Sequence, residues 1–312
     1  MTSQSHDAPG HRFVVAGCGY TGLRVAARLA ALGPVIAISR RLRTFEAGTL
    51  FGIESRSRDF DAEVPERLLL SDSEAPLKVV YLVPPPHQGT ADPRIARFLE
   101  TLPATTARVV YISTTGVYGD AGGATVTEDT PAAPATDRAR RRLAAEMTLR
   151  AWCESRQIEW VILRVPGIYG PGRLPLDRLR RGEPALAEAE CGPGNRIHVD
   201  DLADACVAAL LQPQARNRTY NVGDGDHVSS TAFLGLLAQL AGLPPPPQLP
   251  MTALQPHKSA AALSFLGESR RVDTARLRQE LGFRPRYPSA AAGIRSSLRA
   301  SFEMQGRTAQ DW

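Results

Sequence analysis

Short apolar runs alternate with stretches of helical periodicity through the first half of the chain. Four apolar residues, Phe13 to Ala16, read as a buried strand. Residues 20–32 follow with Leu23, Ala26, Ala27 and Ala30 at helical spacing, and Gly33 stands where a helix C-cap glycine belongs. Further apolar runs at 34–39, 78–83, 108–113 and 159–164 are strand candidates, and residues 53–60 are a candidate third strand. The run at 78–83 stops at three prolines, Pro84 to Pro86, which cannot continue a sheet ladder. Residues 91–102 suit a helix, and Thr136 or Asp137 caps a longer one running to about residue 155. Strands alternating with helices predict an α/β fold, a Rossmann-type doubly wound parallel sheet with ligands at the carboxyl ends of its strands.

After Arg164 the rhythm changes. A turn-rich segment at 166–172 precedes a polar stretch, a helix at 202–211, a short strand at 219–223, a helix at 229–240, a stiff Pro244–Pro247 linker and two helices between 271 and 302. The expected organisation is a tail at 1–11 and a dinucleotide-binding domain at 12–165, joined by about 199–223. Residues 166–198 and 224–312 form a smaller, discontinuous substrate domain.

Between the first strand and helix lies Gly17-Cys18-Gly19-Tyr20-Thr21-Gly22, a G-x-G-x-x-G turn in its proper strand–helix context. One glycine permits the tight turn, one lets a pyrophosphate approach the backbone, and one packs helix on strand. These six residues are the expected pyrophosphate cradle, at the positive end of a helix. After the second strand an NAD site usually carries an acid for the ribose 2′-hydroxyl. Here Ser39-Arg40-Arg41 stands instead, and no acid appears before Glu46. Guanidinium groups pair with a 2′-phosphate, so NADP(H) is expected over NAD(H). Asp59 is a candidate adenine partner, and Val83, Pro84, Val165 and Pro166 at strand ends complete the expected cofactor contacts.

The net charge is +5, and only two of the 37 basic residues are lysines, Lys78 and Lys258. This reads as a bias toward arginine spread over the surface. The cluster Arg138, Arg140, Arg141 and Arg142 lacks the aromatic platform or motif of a nucleic-acid site, and a small anionic partner explains it more simply. No apolar run approaches the ~20 residues of a membrane span. Four scattered cysteines form no C-x-x-C pair, which points to a reducing, cytoplasmic setting without a zinc site. A homodimer is a candidate assembly.

Several local patterns occur in order: the glycine turn, Tyr111-Ile-Ser-Thr-Thr-Gly-Val-Tyr-Gly119, Arg164-Val-Pro-Gly-Ile-Tyr-Gly-Pro171, Arg196-Ile-His-Val-Asp-Asp-Leu-Ala203, Tyr220-Asn-Val-Gly-Asp224 and Leu281-Gly-Phe-Arg-Pro285. Together they resemble the short-chain dehydrogenase/reductase superfamily, most closely its extended branch of NAD-dependent epimerases and dehydratases acting on nucleotide sugars. The resemblance implies a hydroxyl at Thr114 that binds the substrate oxygen. It also implies a Tyr and a Lys four residues apart on the next helix, as proton donor and ribose ligand. This chain departs there: the two positions are Arg138 and Arg142. Arginine is a poor proton donor, while Arg142 can still hold a ribose or phosphate. Tyr118 and Tyr169, in loops at strand ends, are the candidate replacement donors; His198 reads as a structural residue. Two functions follow: an oxidoreductase or epimerase-like enzyme with an atypical site acting on a small, anionic substrate such as a nucleotide sugar, or a non-catalytic NADP(H)-binding sensor or scaffold.

Overall fold

The computed structural model describes residues 10–41, 52–61, 75–257, 263 and 267–308. Most of the expected tail, Glu46 and Lys258 lie outside them. Among the described residues the chain divides into two units. The first comprises Met1–Thr114, Asp137–Arg164 and Ala203–Tyr220; the second comprises Thr115–Thr136, Val165–Leu202 and Asn221–Trp312.

The first unit is built on a seven-stranded parallel sheet. Its strands are β1 (Arg12–Ala16), β2 (Val35–Ser39), β3 (Ile53–Ser57), β4 (Leu77–Tyr81), β5 (Thr106–Thr114), β7 (Glu159–Val165) and β11 (Arg218–Asn221). Their order is β11-β7-β5-β4-β1-β2-β3. The order reverses at β1, which pairs with β2 on one side and β4 on the other. That reversal is the switch point where a doubly wound sheet opens a crevice. Central strands are apolar throughout because both faces are covered: Phe13 to Ala16 are all buried. Edge strand β3, with sequence Ile-Glu-Ser-Arg-Ser, contains no buried residue.

Helix α1 (Tyr20–Ala30) follows β1. Helix α2 (Pro93–Glu100) starts at Asp92, whose carboxylate accepts from the Arg94 N–H, with proline at the first helical position. Helix α3 (Asp137–Ser155) follows β5 at the predicted residues. The core between the sheet and helices α2 and α3 packs Tyr81, Phe98, Leu99, Tyr111, Leu149 and Ile162 together. One expectation is corrected. Gly33 is not a left-handed cap, because α1 ends at Ala31 in right-handed geometry. Glycine is needed there for close approach: a Cβ would lie 2.5 Å from the His11 carbonyl oxygen.

The second unit includes residues 115–136, which the sequence reading placed in the dinucleotide-binding domain. Strand β6 (Thr125–Val126) accounts for this by pairing with Arg271–Val272. The Ser269 N–H also reaches Asp120, and Arg270 reaches the Gly119 carbonyl. Within this unit β8 (Gly167–Tyr169), inside the expected turn-rich segment, pairs with β10 (Arg196–His198). Helix α5 (Val199–Leu211) starts three residues earlier than predicted. Helix α6 (Ser230–Ala241) is capped by the Ser229 hydroxyl and ends at Gly242 in the left-handed region, at φ +65°. The Pro244–Pro247 segment leads into a two-residue strand, Gln248–Leu249, paired with Ala185–Leu186. Phe233, Leu234 and Leu237 of α6 form a core with Ala290, Ile294 and Leu298 of the last helix.

Candidate active site

The turn after β1 is shaped from both sides. Gly17 has φ +89°, and a Cβ on it would lie 2.7 Å from the backbone of Leu82 and Val83. A Cβ on Gly22 would lie 2.5 Å from the Gly17 carbonyl oxygen. These two glycines are required by the chain's own packing. Gly19 is not: its φ is −98°, and the nearest atom to a Cβ there is 4.0 Å away. The space in front of Gly19 is open to another group. The Gly17 and Cys18 N–H groups both donate to the Ile38 carbonyl at 2.9 Å, which ties the turn to β2. Helix α1 begins without a side-chain cap and without an acid in its first turn. Its positive end is therefore not offset locally, as an anion-binding helix start requires. Cys18, Thr21 and Gly22 are buried, and Tyr20 is half-buried.

At the end of β2 the Ser39 hydroxyl donates to the Arg41 carbonyl at 2.6 Å, and the Ser57 hydroxyl donates to the Arg40 carbonyl at 3.0 Å. The turn is fixed by its serines while the side chains of Arg40 and Arg41 stay exposed. Asp59 is exposed, and one of its oxygens accepts from the Asp61 N–H. Sequence reasoning missed Arg94. It grips both carboxylate oxygens of Asp61, at 2.6 and 2.5 Å, and donates to the Pro84 carbonyl at 2.8 Å. The guanidinium holds the Asp61 carboxyl below its ordinary range. Arg94 thus joins the segments that follow β3 and β4; Val83 is half-buried there and Pro84 exposed.

At the end of β5, Thr114 is half-buried, while Ser113 faces inward and donates to Glu146 at 2.5 Å. Arg164 binds the same carboxylate through Nε at 3.1 Å and Nη2 at 2.8 Å. Glu146 is 1% exposed, so the triad is a buried ion pair with its acceptors filled. Spacing on α3 held the clue: Arg138, Arg142 and Glu146 follow at four-residue intervals on one helix face. Arg142 lies against β5, donating to the Ile112 carbonyl at 2.9 Å and the Tyr111 hydroxyl at 3.2 Å. Burial raises the Tyr111 hydroxyl to about 12 despite that guanidinium. Arg138 is exposed.

Tyr118 and Tyr169, the tyrosines expected as replacement acids, are both packed within the second unit. Tyr169 is 5% exposed and sits edge-on to Phe233 and His198. Its hydroxyl fills the space that a Cβ on Gly293 would take, and burial pushes its pKa up. Tyr118 is 3% exposed and donates to the Asn221 Oδ1 at 2.7 Å, while the Asn221 N–H donates to Glu128 at 2.8 Å. His198 is buried, with its Nδ1 accepting from the Asp200 N–H and its ring 4.2 Å from Tyr287. Val165 is buried and Pro166 half-buried.

A solved structure of a functionally unknown conserved protein from Silicibacter pomeroyi DSS is 30% identical to this chain. It superposes with a TM-score of 0.78, covering 94% of this chain and 99% of that one. The model of the NAD dependent epimerase/dehydratase family matches residues 94–223. The chain belongs to the NAD dependent epimerase/dehydratase family. Among curated relatives, Protein YeeZ of Escherichia coli K12 is 29% identical over 288 residues, covering 89% of this chain and 96% of that protein. A UDP-glucuronic acid 4-epimerase from Bacillus cereus, solved in complex with NAD, shares the fold at 17% identity. Its TM-score is 0.73, over 94% of this chain and 99% of that one. Among the described residues no helix is long and apolar enough to cross a membrane.

Proposed function

We propose that the first unit binds a nicotinamide dinucleotide, NADPH in preference to NADH, and that the protein reads this cofactor rather than working as a fast epimerase. The open space over Gly19, framed by two glycines that the packing itself requires, carries the reading. A pyrophosphate fits there against the uncapped start of α1. Arg40 and Arg41, on a turn fixed by Ser39 and Ser57, supply guanidinium groups to a 2′-phosphate. Thr21, Val83 and Pro84 are the candidate contacts at the cradle, Asp59 is the candidate adenine partner, and Arg94 ties the segments that follow β3 and β4. When bound, the dinucleotide supplies hydride transfer. The chain's own contribution to a proton transfer is weak, because guanidinium groups stand at both positions of the expected acid–base pair and do not release protons near neutral pH. The free cysteines fit a cytoplasmic setting.

One observation favours the enzyme reading. Thr114 stands at the end of β5 next to Ser113 of the buried Ser113–Glu146–Arg164 triad and offers a hydroxyl to a substrate oxygen. That reading predicts turnover of a small anionic substrate, with nucleotide sugars the first class to test. Titration calorimetry with NADPH and NADH tests the cofactor assignment. NADPH binds more tightly, and Arg40→Asp with Arg41→Ala narrows or reverses the gap; equal affinities in the unmodified protein refute it. A screen of UDP- and dTDP-sugars in which a new sugar product forms, or NADPH is consumed or produced, above background would favour the enzyme.

A further inference from the structure

Arg142 carries a positively charged guanidinium. It is half-buried and tied to β5 by the Ile112 carbonyl and the Tyr111 hydroxyl. Two carboxylates act on this cluster, Asp92 and Glu146. Glu146 already receives Arg164 and Ser113. Asp92 is 4% exposed and uses Oδ1 to cap α2, and its Oδ2 has no hydrogen-bond partner. The carboxyl ends of β4 and β5 are therefore left with a fixed positive group that is only partly offset.

In a doubly wound sheet a dinucleotide spans the strand ends at the switch point. With its pyrophosphate on the Gly17–Gly22 turn and its 2′-phosphate at the end of β2, its nicotinamide half falls on the β4 and β5 side. The two oxidation states of that ring differ by one positive charge. A fixed guanidinium repels the pyridinium and leaves the uncharged dihydropyridine unaffected.

We propose that Arg142 makes this site selective for redox state, holding NADPH more tightly than NADP+, so that occupancy reports the reduced fraction of the cofactor pool. The proposal rests on the NADP(H) reading above. Asp92 opposes the selectivity, which gives a variant of opposite sign.

The test titrates NADPH, NADP+ and 2′,5′-ADP, which lacks the nicotinamide, into the full chain and three variants. The unmodified protein binds NADPH at least about tenfold more tightly than NADP+. Arg142→Gln brings that ratio close to one, and Arg142→Lys, which keeps the charge, preserves it. Asp92→Asn, which retains a good helix cap, widens it. Affinity for 2′,5′-ADP stays the same in all four proteins. Equal affinities for the two oxidation states in the unmodified protein overturn the proposal and leave the dinucleotide reading standing. So does an unchanged ratio in Arg142→Gln with 2′,5′-ADP still bound. If Arg142→Gln does not fold, Asp92→Asn decides, and a ratio that fails to widen overturns the proposal. Failure of all three ligands to bind overturns the dinucleotide reading and this proposal with it.

Discussion

Asp224 closes the Tyr220–Asp224 motif and is 6% exposed. One of its oxygens accepts from the Asp226 N–H at 3.0 Å, and Asp226 adds a second negative charge beside it. Arg196 is the nearby cation, but it donates to the Val228 carbonyl at 2.6 Å and stacks over the Phe233 ring. Burial outweighs that attraction and pushes the Asp224 carboxyl from 3.8 to about 7. A shift of roughly three units is worth about 4 kcal/mol. The folded state holds the proton more tightly than the unfolded chain does. The stability this contributes is complete below pH ~4, declines as pH rises, and is lost above pH ~7. Asp224→Asn keeps the shape and removes the ionisation. Urea unfolding of both proteins isolates the effect, since every other titrating group cancels in the difference. The stability of the variant relative to the unmodified protein should rise by roughly 2–3 kcal/mol between about pH 5 and pH 8. A difference that does not change with pH refutes the reasoning.

Two further outcomes follow from the buried polar groups. Glu146→Ala leaves Arg164 and Ser113 without their acceptor and should cost about 3–5 kcal/mol in denaturant unfolding, whereas loss below about 1 kcal/mol would mean the triad is not intact in solution. Tyr169→Phe removes a buried hydroxyl that has no hydrogen-bond partner, so stability should stay within about 1 kcal/mol or rise, and any turnover should be unchanged. A large fall in turnover with binding retained would instead assign Tyr169 as the proton donor.

The central strands were legible because they are buried on both faces and read as apolar runs; β1, β4, β5 and β7 lie within a residue or two of their predicted places. The glycine turn was legible because its spacing is set by local backbone contacts. Gly33 was misread because a glycine just past a helix signals either a left-handed cap or a close approach. The approach partner, His11, belongs to another segment. The environment of Tyr169 depends on Gly293, more than a hundred residues away, and no local pattern carries that contact. Tyr118 is similar, since its acceptor is Asn221. Arg94 gave no signal beyond being one arginine among many, because its partners Asp61 and Pro84 meet only when the strands are assembled. Glu146 was within reach, four residues beyond Arg142 on the same helix face.

The central claim is that the space over Gly19 receives a dinucleotide pyrophosphate, and the most direct measurement is NADPH titration of the unmodified protein beside Gly19→Val. Apart from its chain neighbours, the atom nearest to a Cβ on residue 19 is 4.0 Å away, so circular dichroism should show an intact fold. The unmodified protein binds NADPH, and the folded variant does not. A folded Gly19→Val protein that binds NADPH with unchanged affinity would contradict the account.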